Sequence, residues 1–200
     1  MCVRKSVLPA LVLMLLTGAC LRIDPAVYRV KRQAVRGDAQ AQYQLGACYY
    51  YGDGVGRDTA RAVEWYRKAA ERGCAEAQYN LGWHYYHGEG VGADAAKAAA
   101  WFTRAAEQGC VEAQYALGRC YHYGEGVAED VAAAVAWFRK AAEQGYAPAQ
   151  YSLGLCYYYG DGVDKDTATA LGWLDAAAEQ GNEDAINELD KIQNGKEGQP

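Results

Sequence analysis

Apolar and small residues recur at helical spacing through most of this chain. In the first unit of the pattern, Ala41, Leu45 and Cys48 lie three or four residues apart and therefore share one face of a helix. Gly52 interrupts the pattern, and glycine often ends a helix because it accepts the left-handed conformation. These features predict a helix, here named helix A, over residues 39–51.

A second helix, helix B, follows after a short loop. Asp58 is a strong candidate for its N-cap because a carboxylate accepts hydrogen bonds from unpaired backbone N–H groups. Gly73 ends the pattern. One apolar face is formed by Ala62, Tyr66, Ala69 and Ala70. Because the loop between the helices is so short, helices A and B are predicted to form an antiparallel pair.

This helix pair occurs four times, over residues 39–74, 75–110, 111–146 and 147–182. The capping residue and the final glycine stay in register. The N-cap column is Asp58, Asp94, Asp130 and Asp166, and the glycine column is Gly73, Gly109, Gly145 and Gly181. A repeat of this length indicates a solenoid, in which each unit buries its apolar surface against the next.

A glycine also recurs inside helix A, at Gly46 and the equivalent positions. Glycine in a helix interior costs about 1 kcal/mol relative to alanine. We therefore expect a neighbouring backbone to approach too closely for a Cβ atom, and predict that Ala69 and Ala70 of helix B form this contact.

The residues on either side of the array are predicted to cap it. Asp24 and Pro25 are typical of a helix start, and a helix over residues 25–36 ends at Gly37. Asn182 is predicted to cap a last helix over residues 183–193, in which Asp190 replaces the interior glycine and can face water. Residues 194–200 are polar and glycine-rich, and are predicted to be disordered.

The repeated residues resemble the Sel-1-like repeat, a relative of the tetratricopeptide repeat. The resemblance covers residues 39–182 and includes one tryptophan per repeat in register: Trp65, Trp101, Trp137 and Trp173. It implies an all-α, right-handed superhelical solenoid of antiparallel helix pairs, with four full 36-residue repeats plus capping helices. It also implies a non-catalytic adaptor that holds protein complexes together.

The first residues are typical of a bacterial secretory signal over residues 1–19. Arg4 and Lys5 precede an apolar run over residues 7–16, which is too short to span a bilayer as a helix. Small residues directly before Cys20 resemble the lipobox of bacterial lipoproteins, which implies cleavage before Cys20 and a lipid on its thiol. Residues 20–38 would then form a lipid-anchored N-terminus and capping helix. An ordinary signal peptide with a chance cysteine is the alternative.

By the same resemblance, Leu21 after Cys20 favours the outer membrane. Loss of Arg4 and Lys5 would leave 18 basic residues against 25 acidic ones, a formal charge of −7. No basic stripe is apparent, which argues against nucleic acid as a partner and against electrostatic adhesion to anionic lipid.

One stripe of helix A varies between repeats, whereas packing positions are nearly constant. The stripe comprises Gln40, Gln44, Ala47 and Tyr51; Glu76, Asn80, Trp83 and His87; Glu112, Ala116, Arg119 and Tyr123; Pro148, Ser152, Leu155 and Tyr159. Aromatic residues and arginine are frequent interface anchors. The predicted partner-binding residues are Tyr51, Trp83, His87, Arg119, Tyr123 and Tyr159. The alternative is that these aromatic rings only pack between successive A helices.

Five further cysteines recur at equivalent positions: Cys48, Cys74, Cys110, Cys120 and Cys156. Equivalent sites in adjacent repeats should lie too far apart for disulfides, so these residues are predicted to be small buried hydrophobes. The cysteine-rich branch of the family pairs cysteines eight residues apart, where this chain has Ala70 and Gln78. Cys74 and Cys110 are expected at helix N-termini, where thiol pKa values tend to fall.

No metal site, cofactor or catalytic centre is predicted. A column of Cys48, His84, Cys120 and Cys156 is spread over four repeats and cannot converge on one ion. Ser152 is the only serine after the signal segment, and no nucleophile elbow, H-E-x-x-H motif or P-loop occurs. Two hypotheses remain: an envelope scaffold that binds a protein, and a module that stacks glycan or peptidoglycan sugars on its tyrosines. A hydrolase is a distant third.

Overall fold

The computed structural model describes residues 25–197 and contains ten α-helices over that range. They are α1 (Pro25–Val35), α2 (Ala39–Tyr51), α3 (Thr59–Glu71), α4 (Ala75–His87), α5 (Ala95–Glu107), α6 (Val111–Tyr123), α7 (Val131–Glu143), α8 (Ala147–Tyr159), α9 (Thr167–Glu179) and α10 (Glu183–Glu197). No strand occurs in this range. The predicted signal segment, Cys20, the Asp24 cap and residues 198–200 lie outside it.

The helices form an all-α solenoid, as predicted. Helices α2, α4, α6 and α8 are the four A helices, and α3, α5, α7 and α9 are the four B helices. Each helix packs mainly against the helices before and after it in the chain. The interior column of Leu45, Leu81, Leu117 and Leu153 is fully buried in all four repeats. The core therefore extends along the array as a series of equivalent layers.

Helix ends are set by the residues that the sequence indicated. The Asp58 carboxylate accepts a hydrogen bond of 3.0 Å from the Arg61 backbone N–H, and its counterparts cap the other B helices. Gly52 ends α2 with a φ of 82°. Helix α2 covers residues 39–51, so the predicted bounds of helix A are confirmed.

A column of buried glutamines joins consecutive repeats. The Gln78 Nε2 donates to the Ala70 carbonyl at 3.1 Å, across the boundary between repeats 1 and 2. Its Oε1 accepts from the Gln108 Nε2 at 2.7 Å, at the end of helix B in the same repeat. Gln114 and Gln150 make the equivalent bonds. Ala70 and Gln78 occupy the positions that the cysteine-rich branch gives to paired cysteines, so a hydrogen bond joins those positions here.

The first repeat departs from this column. Arg72 occupies the position of Gln108, and its Nε donates instead to the Gly37 carbonyl at 3.0 Å. Gln42 still donates to the Ala34 carbonyl. Its buried Oε1, however, has no hydrogen-bond partner among the described residues. The column of glutamine hydrogen bonds is therefore incomplete in repeat 1.

The glycine inside helix A is required by close packing, but its predicted neighbours are wrong. A Cβ at Gly46 would lie 2.7 Å from the Tyr66 ring and 3.2 Å from the Ala62 carbonyl oxygen, rather than against Ala69 and Ala70. Tyr66 is buried and its ring covers the glycine. Ala70 instead faces the next repeat, where its carbonyl accepts the bond from Gln78.

Both ends of the array are capped by helices. At the N-terminal end, α1 packs Val27 and Ala34 against α2. At the C-terminal end, the Asn182 side chain accepts a bond from the Ala185 N–H, and Asp190 is exposed as predicted. The last helix continues to Glu197, so the prediction of a disordered tail is wrong for residues 194–197. Polar composition does not prevent helix formation, and this stretch contains only one weak helix former, Gly195.

Candidate binding face of the A helices

The variable stripe of the A helices forms a continuous surface, here called the A-face. It is defined by the sixteen stripe residues at positions 40, 44, 47 and 51 and their equivalents in the other repeats. Its most prominent residues stand at the C-terminal ends of the A helices, where Tyr51, Tyr123 and Tyr159 are 55%, 60% and 58% exposed. His87 occupies the same column and is also exposed. The A-face therefore presents one aromatic ring per repeat to solvent.

Two adjoining cavities open on the A-face. The first lies between α4 and α6, has a volume of about 160 Å³, and includes Trp83, His87 and Arg119 in its lining. The second lies between α6 and α8, has a volume of about 260 Å³, and includes Arg119, Tyr123 and Tyr159. Arg119 is thus part of the wall that the two cavities share. The structure brings five of the six predicted partner residues to these cavities and leaves Tyr51 outside them.

Trp83 combines packing with exposure. Its ring meets the Tyr50 ring of the preceding repeat edge-on, with centroids 6.4 Å apart, and lies 4.3 Å from the His87 ring. The alternative that aromatic side chains pack between successive A helices is therefore correct for one side of Trp83. The other side lines the first cavity, where the ring can contact a ligand.

Arg119 is the cation of the A-face. Its guanidinium is exposed and forms no ion pair with a described residue. It lies 5.9 Å from the centroid of the Tyr123 ring, which holds it by a cation–π contact. An unpaired guanidinium between two aromatic-lined cavities can bind a carboxylate or a backbone carbonyl of a ligand.

His122, one of the residues that line the second cavity, has a buried ring nitrogen without a hydrogen-bond partner among the described residues. In repeat 2, the Tyr86 hydroxyl donates to the Glu125 carboxylate of the next repeat at 2.5 Å, and this bond raises the pKa of Tyr86. The equivalent residues one repeat later are His122 and Asp161, and both are shorter. The buried His122 Nδ1 has no hydrogen-bond partner among the described residues. A bound group or a water molecule could supply one.

The sequence prediction did not select His122, although a signal was present. The same column contains tyrosine in the other three repeats, at Tyr50, Tyr86 and Tyr158. A single histidine in a tyrosine column was therefore a visible difference between repeats, although the column lies outside the stripe from which Trp83 was selected. Ser152 and Leu155 were part of the variable stripe and line the second cavity.

The cysteines differ from the prediction in two respects: three of the five are only half-buried, and the pKa of Cys74 is raised where a lowered value was expected. No disulfide joins the five cysteines to one another, and Cys120 and Cys156 are buried while the other three are half-buried. Cys74 is at an N-cap, as expected, but burial raises its pKa to about 11, with a further contribution from Glu76. The expectation of a lowered pKa is therefore wrong for Cys74, since desolvation of the thiolate outweighs the helix N-terminus.

His84 takes the place of a cysteine in the interior column and is buried. Its ring stacks on Tyr66 with centroids 5.6 Å apart, and its Nδ1 lies 2.9 Å from the Glu89 carbonyl oxygen. Burial lowers its pKa. Within residues 25–197, no three His, Cys, Asp or Glu side chains are grouped as metal ligands. In the same range, no helix is both long and apolar enough to cross a membrane.

The repeats match a known family along most of the chain. The family model of the Sel1 repeat matches residues 39–74, 75–110, 111–146 and 147–182, which are the four units described above. This chain belongs to the Sel1 repeat family. Sel1 repeat proteins generally act as scaffolds for protein–protein interactions. A comparison with curated proteins found no match.

Solved structures of similar proteins share the fold. A protective antigen of uropathogenic Escherichia coli strains, described as having an SLR fold, is 45% identical over 82% of this chain and 35% of its own, with a TM-score of 0.79. A Sel1 repeat protein from Oxalobacter formigenes is 36% identical over 84% of this chain and 66% of its own, with a TM-score of 0.77. This chain thus spans about a third of the first protein and just under two thirds of the second.

A more distant structure shows the fold alone. The cysteine-rich protein B of Helicobacter pylori is 22% identical over 62% of this chain and 92% of its own, with a TM-score of 0.51. The two proteins therefore share the repeat architecture. At the positions where the cysteine-rich branch has paired cysteines, this chain has Ala70 and Gln78, which are joined by a hydrogen bond.

Proposed function

We propose that this Sel1 repeat protein is a non-catalytic scaffold of the bacterial cell envelope that binds a protein partner on its A-face. The observation that carries the proposal is the pair of adjoining cavities that share Arg119. They lie where the repeats differ in sequence, whereas the interior columns of leucine, glycine and glutamine are the same in every repeat. A partner needs such differences to bind in one register along the array.

The chemistry of the cavities suits a protein ligand. Trp83 offers a flat apolar surface, and tryptophan and arginine are frequent in the energetically dominant part of protein interfaces. Arg119, in the wall that the two cavities share, adds an exposed cation to both. A protein segment supplies both apolar side chains and carboxylate or carbonyl oxygens, so it can satisfy both sets of groups.

The test is a pull-down from envelope extract with the double variant Trp83→Ala and Arg119→Ala. We expect this variant to remain folded and to lose the captured partner. A matched control removes the same two residue types from a B helix, where Arg104 lies over the Trp101 ring at 4.6 Å. The variant Trp101→Ala with Arg104→Ala should retain the partner. If the A-face variant is folded and retains every partner, the proposal is wrong.

A glycan ligand is the second candidate, and the exposed tyrosines favour it. Tyr51, Tyr123 and Tyr159 present rings that could stack on sugars along the array. Incubation of the purified protein with insoluble peptidoglycan, followed by sedimentation, distinguishes the two ligands. Peptidoglycan binding that is lost in Tyr123→Ala with Tyr159→Ala would favour the glycan. Partner capture without peptidoglycan binding would favour the protein scaffold.

The location follows from the N-terminal residues and is part of the proposal. Residues 1–19 would direct export, Cys20 would carry the lipid, and Leu21 favours the outer membrane. Metabolic labelling with a radioactive fatty acid tests the anchor, because label should enter the wild-type protein and be absent from Cys20→Ala. Separation of inner and outer membranes on a density gradient then tests the destination. Label in the Cys20→Ala variant would contradict lipidation at this residue.

A further inference from the structure

Four basic residues cluster in α1 and in Arg36, the residue directly after it. Arg29, Lys31, Arg32 and Arg36 are all exposed, and no acidic residue occurs between positions 25 and 36. None of the four side chains forms an ion pair or hydrogen bond with a described residue. The prediction that the chain has no basic stripe is therefore wrong for residues 25–36. A negative net charge of the whole chain is compatible with a short local cluster of basic residues.

Large apolar side chains accompany these cations on the outer surface of α1. Tyr28 is 56% exposed and Val35 is 70% exposed. Tyr28, Arg29, Arg32, Gln33 and Arg36 line a shallow depression. On the opposite side, Val27 and Ala34 are buried against α2. The helix is thus fixed to the array by one face and presents cations and apolar groups together on the other.

A capping role alone does not account for this surface. Capping requires polar residues, and mixed charges are sufficient for it. The positions one repeat later than Tyr28 and Val35 are Glu64 and Glu71, so α1 has apolar residues where the first full repeat has carboxylates. Residues 37–197 contain 24 acidic and 13 basic residues, a formal charge of −11, whereas residues 25–36 have a formal charge of +4.

The position of α1 in the chain limits what it can contact. Pro25 lies only five positions after Cys20, the residue proposed to carry the lipid. A fully extended chain of that length reaches at most about 18 Å. If Cys20 is anchored, α1 must lie close to the membrane surface. Attraction between basic residues and anionic headgroups acts within roughly a Debye length, about 8 Å at physiological ionic strength.

We propose that α1 is a second membrane contact, which lies on an anionic lipid surface beside the anchor. The four cations face phosphate headgroups, and Tyr28 and Val35 enter the interface between headgroups and acyl chains. The acidic array is repelled by the same surface and extends away from it. The inference concerns how the molecule is held, and it does not depend on which partner the A-face binds.

The test uses the chain from residue 21 to residue 200, which retains every described residue and carries no acyl chain. Binding is measured by co-sedimentation with vesicles of phosphatidylcholine mixed with phosphatidylglycerol, and with vesicles of phosphatidylcholine alone. Replacement of Arg29, Lys31, Arg32 and Arg36 by glutamine should reduce the partition coefficient on anionic vesicles at least tenfold. Circular dichroism of each variant checks that the solenoid remains folded.

A matched control makes the same four charge changes on the B helices. Arg61, Lys68, Arg104 and Lys140 are exposed basic residues of α3, α5 and α7, and their replacement by glutamine should leave vesicle binding within about twofold of the wild type. Val35→Ser should weaken binding without any change in charge. Raising the salt concentration from about 0.05 M to about 0.5 M should release the protein, since salt screens headgroup attraction.

Three results would overturn the proposal. One is equal binding to anionic and neutral vesicles. Another is the absence of binding to anionic vesicles by the folded wild-type chain. The third is binding to a DNA duplex of matched charge in preference to the vesicles, which would indicate that α1 recognises phosphates of nucleic acid instead. Each of these results would leave the A-face proposal unchanged.

Discussion

The interior and the A-face of this array differ in how strictly their residues repeat. The interior columns of leucine, glycine and glutamine are identical in all four repeats. The leucines are fully buried, each glycine lies under a side chain of helix B, and the glutamines join neighbouring repeats. The A-face column that contains Trp83 has a different residue in every repeat: Ala47, Trp83, Arg119 and Leu155.

The difference shows which contacts constrain each position. An interior residue packs against equivalent neighbours in every repeat, so the same side chain fits each time. An A-face residue borders a cavity on one side, and the rest of the array does not determine what it must be. Substitutions should therefore change stability at interior positions and ligand binding at A-face positions.

The largest effect is expected for Gly118→Ala. A Cβ at this position would lie 2.6 Å from the ring of Phe138, which is buried and cannot move aside. Overpacking of this kind costs about 1–3 kcal/mol. Urea denaturation of the variant should show this loss in the free energy of unfolding.

Gly172→Ala is the matched control for Gly118→Ala. Gly172 lies within α9, but no atom outside its immediate neighbours is within 4 Å of a Cβ built there. Alanine should therefore stabilise the helix by about 0.5–1 kcal/mol. Equal effects of the two substitutions would show that the interior glycines are not a packing requirement.

Arg72→Gln is expected to stabilise the chain, by less than Gly118→Ala destabilises it. The new glutamine would stand where Gln108 stands in the next repeat, and its Nε2 could donate to the unpartnered Oε1 of Gln42. The variant also loses the exposed bond from Arg72 to the Gly37 carbonyl, so we expect a net gain of at most about 1 kcal/mol in the free energy of unfolding, the usual net value of one such bond. The reciprocal variant Gln108→Arg should lose a similar amount. A loss of stability in Arg72→Gln would contradict this account of the glutamine column.

His84 should make stability depend on pH. Burial lowers its pKa below the usual value of 6.5, so below about pH 6.5 the unfolded chain binds a proton that the folded chain does not. This contribution to stability is complete above that pH and is lost as the pH falls. His84→Cys introduces the residue of the other three repeats and should reduce the loss between neutral and mildly acid pH. Thermal melts in reducing buffer measure this loss of stability. The same melts of His87→Ala, a change on the exposed side of α4, serve as the control.

The smallest effect on stability is expected for Tyr123→Ser on the A-face. This side chain is largely exposed, so the free energy of unfolding should change by no more than about 0.5 kcal/mol. Partner binding should nevertheless weaken, because Tyr123 lines the second cavity and holds the Arg119 guanidinium. A large loss of stability would place Tyr123 among the interior positions.

Much of the fold could be predicted because the residue types at the helix ends indicate where each helix begins and stops. Asp58 and Gly52 fix helix ends by local backbone chemistry, which operates over a few residues and repeats with the pattern. Arg119 and Trp83 could be selected because they lie on the stripe of helix A that varies between repeats, whereas packing positions are nearly constant. These predictions needed only local rules and a comparison of repeats within one chain.

The remaining features depend on how the helices meet in space. The neighbour of Gly46 is Tyr66, because the register between two helices is set by their packing and cannot be read from either helix alone. The raised pKa of Cys74 depends on how deeply the first turn of α4 is buried. The orphaned His122 Nδ1 results from two side chains, His122 and Asp161, that are both too short to form the contact made by Tyr86 and Glu125.

The contacts that join neighbouring repeats connect positions at fixed separations along the chain. Gln78 bonds to Ala70 across one boundary, and Tyr86 bonds to Glu125 across the next. A duplicated segment of 36 residues would bring its own copy of each of these positions and recreate both kinds of junction. An insertion inside a helix that is not a whole number of repeats would misalign them. Recombination between repeats can therefore lengthen or shorten such a gene in whole units, and each product would be a foldable protein with a new order of A-face residues.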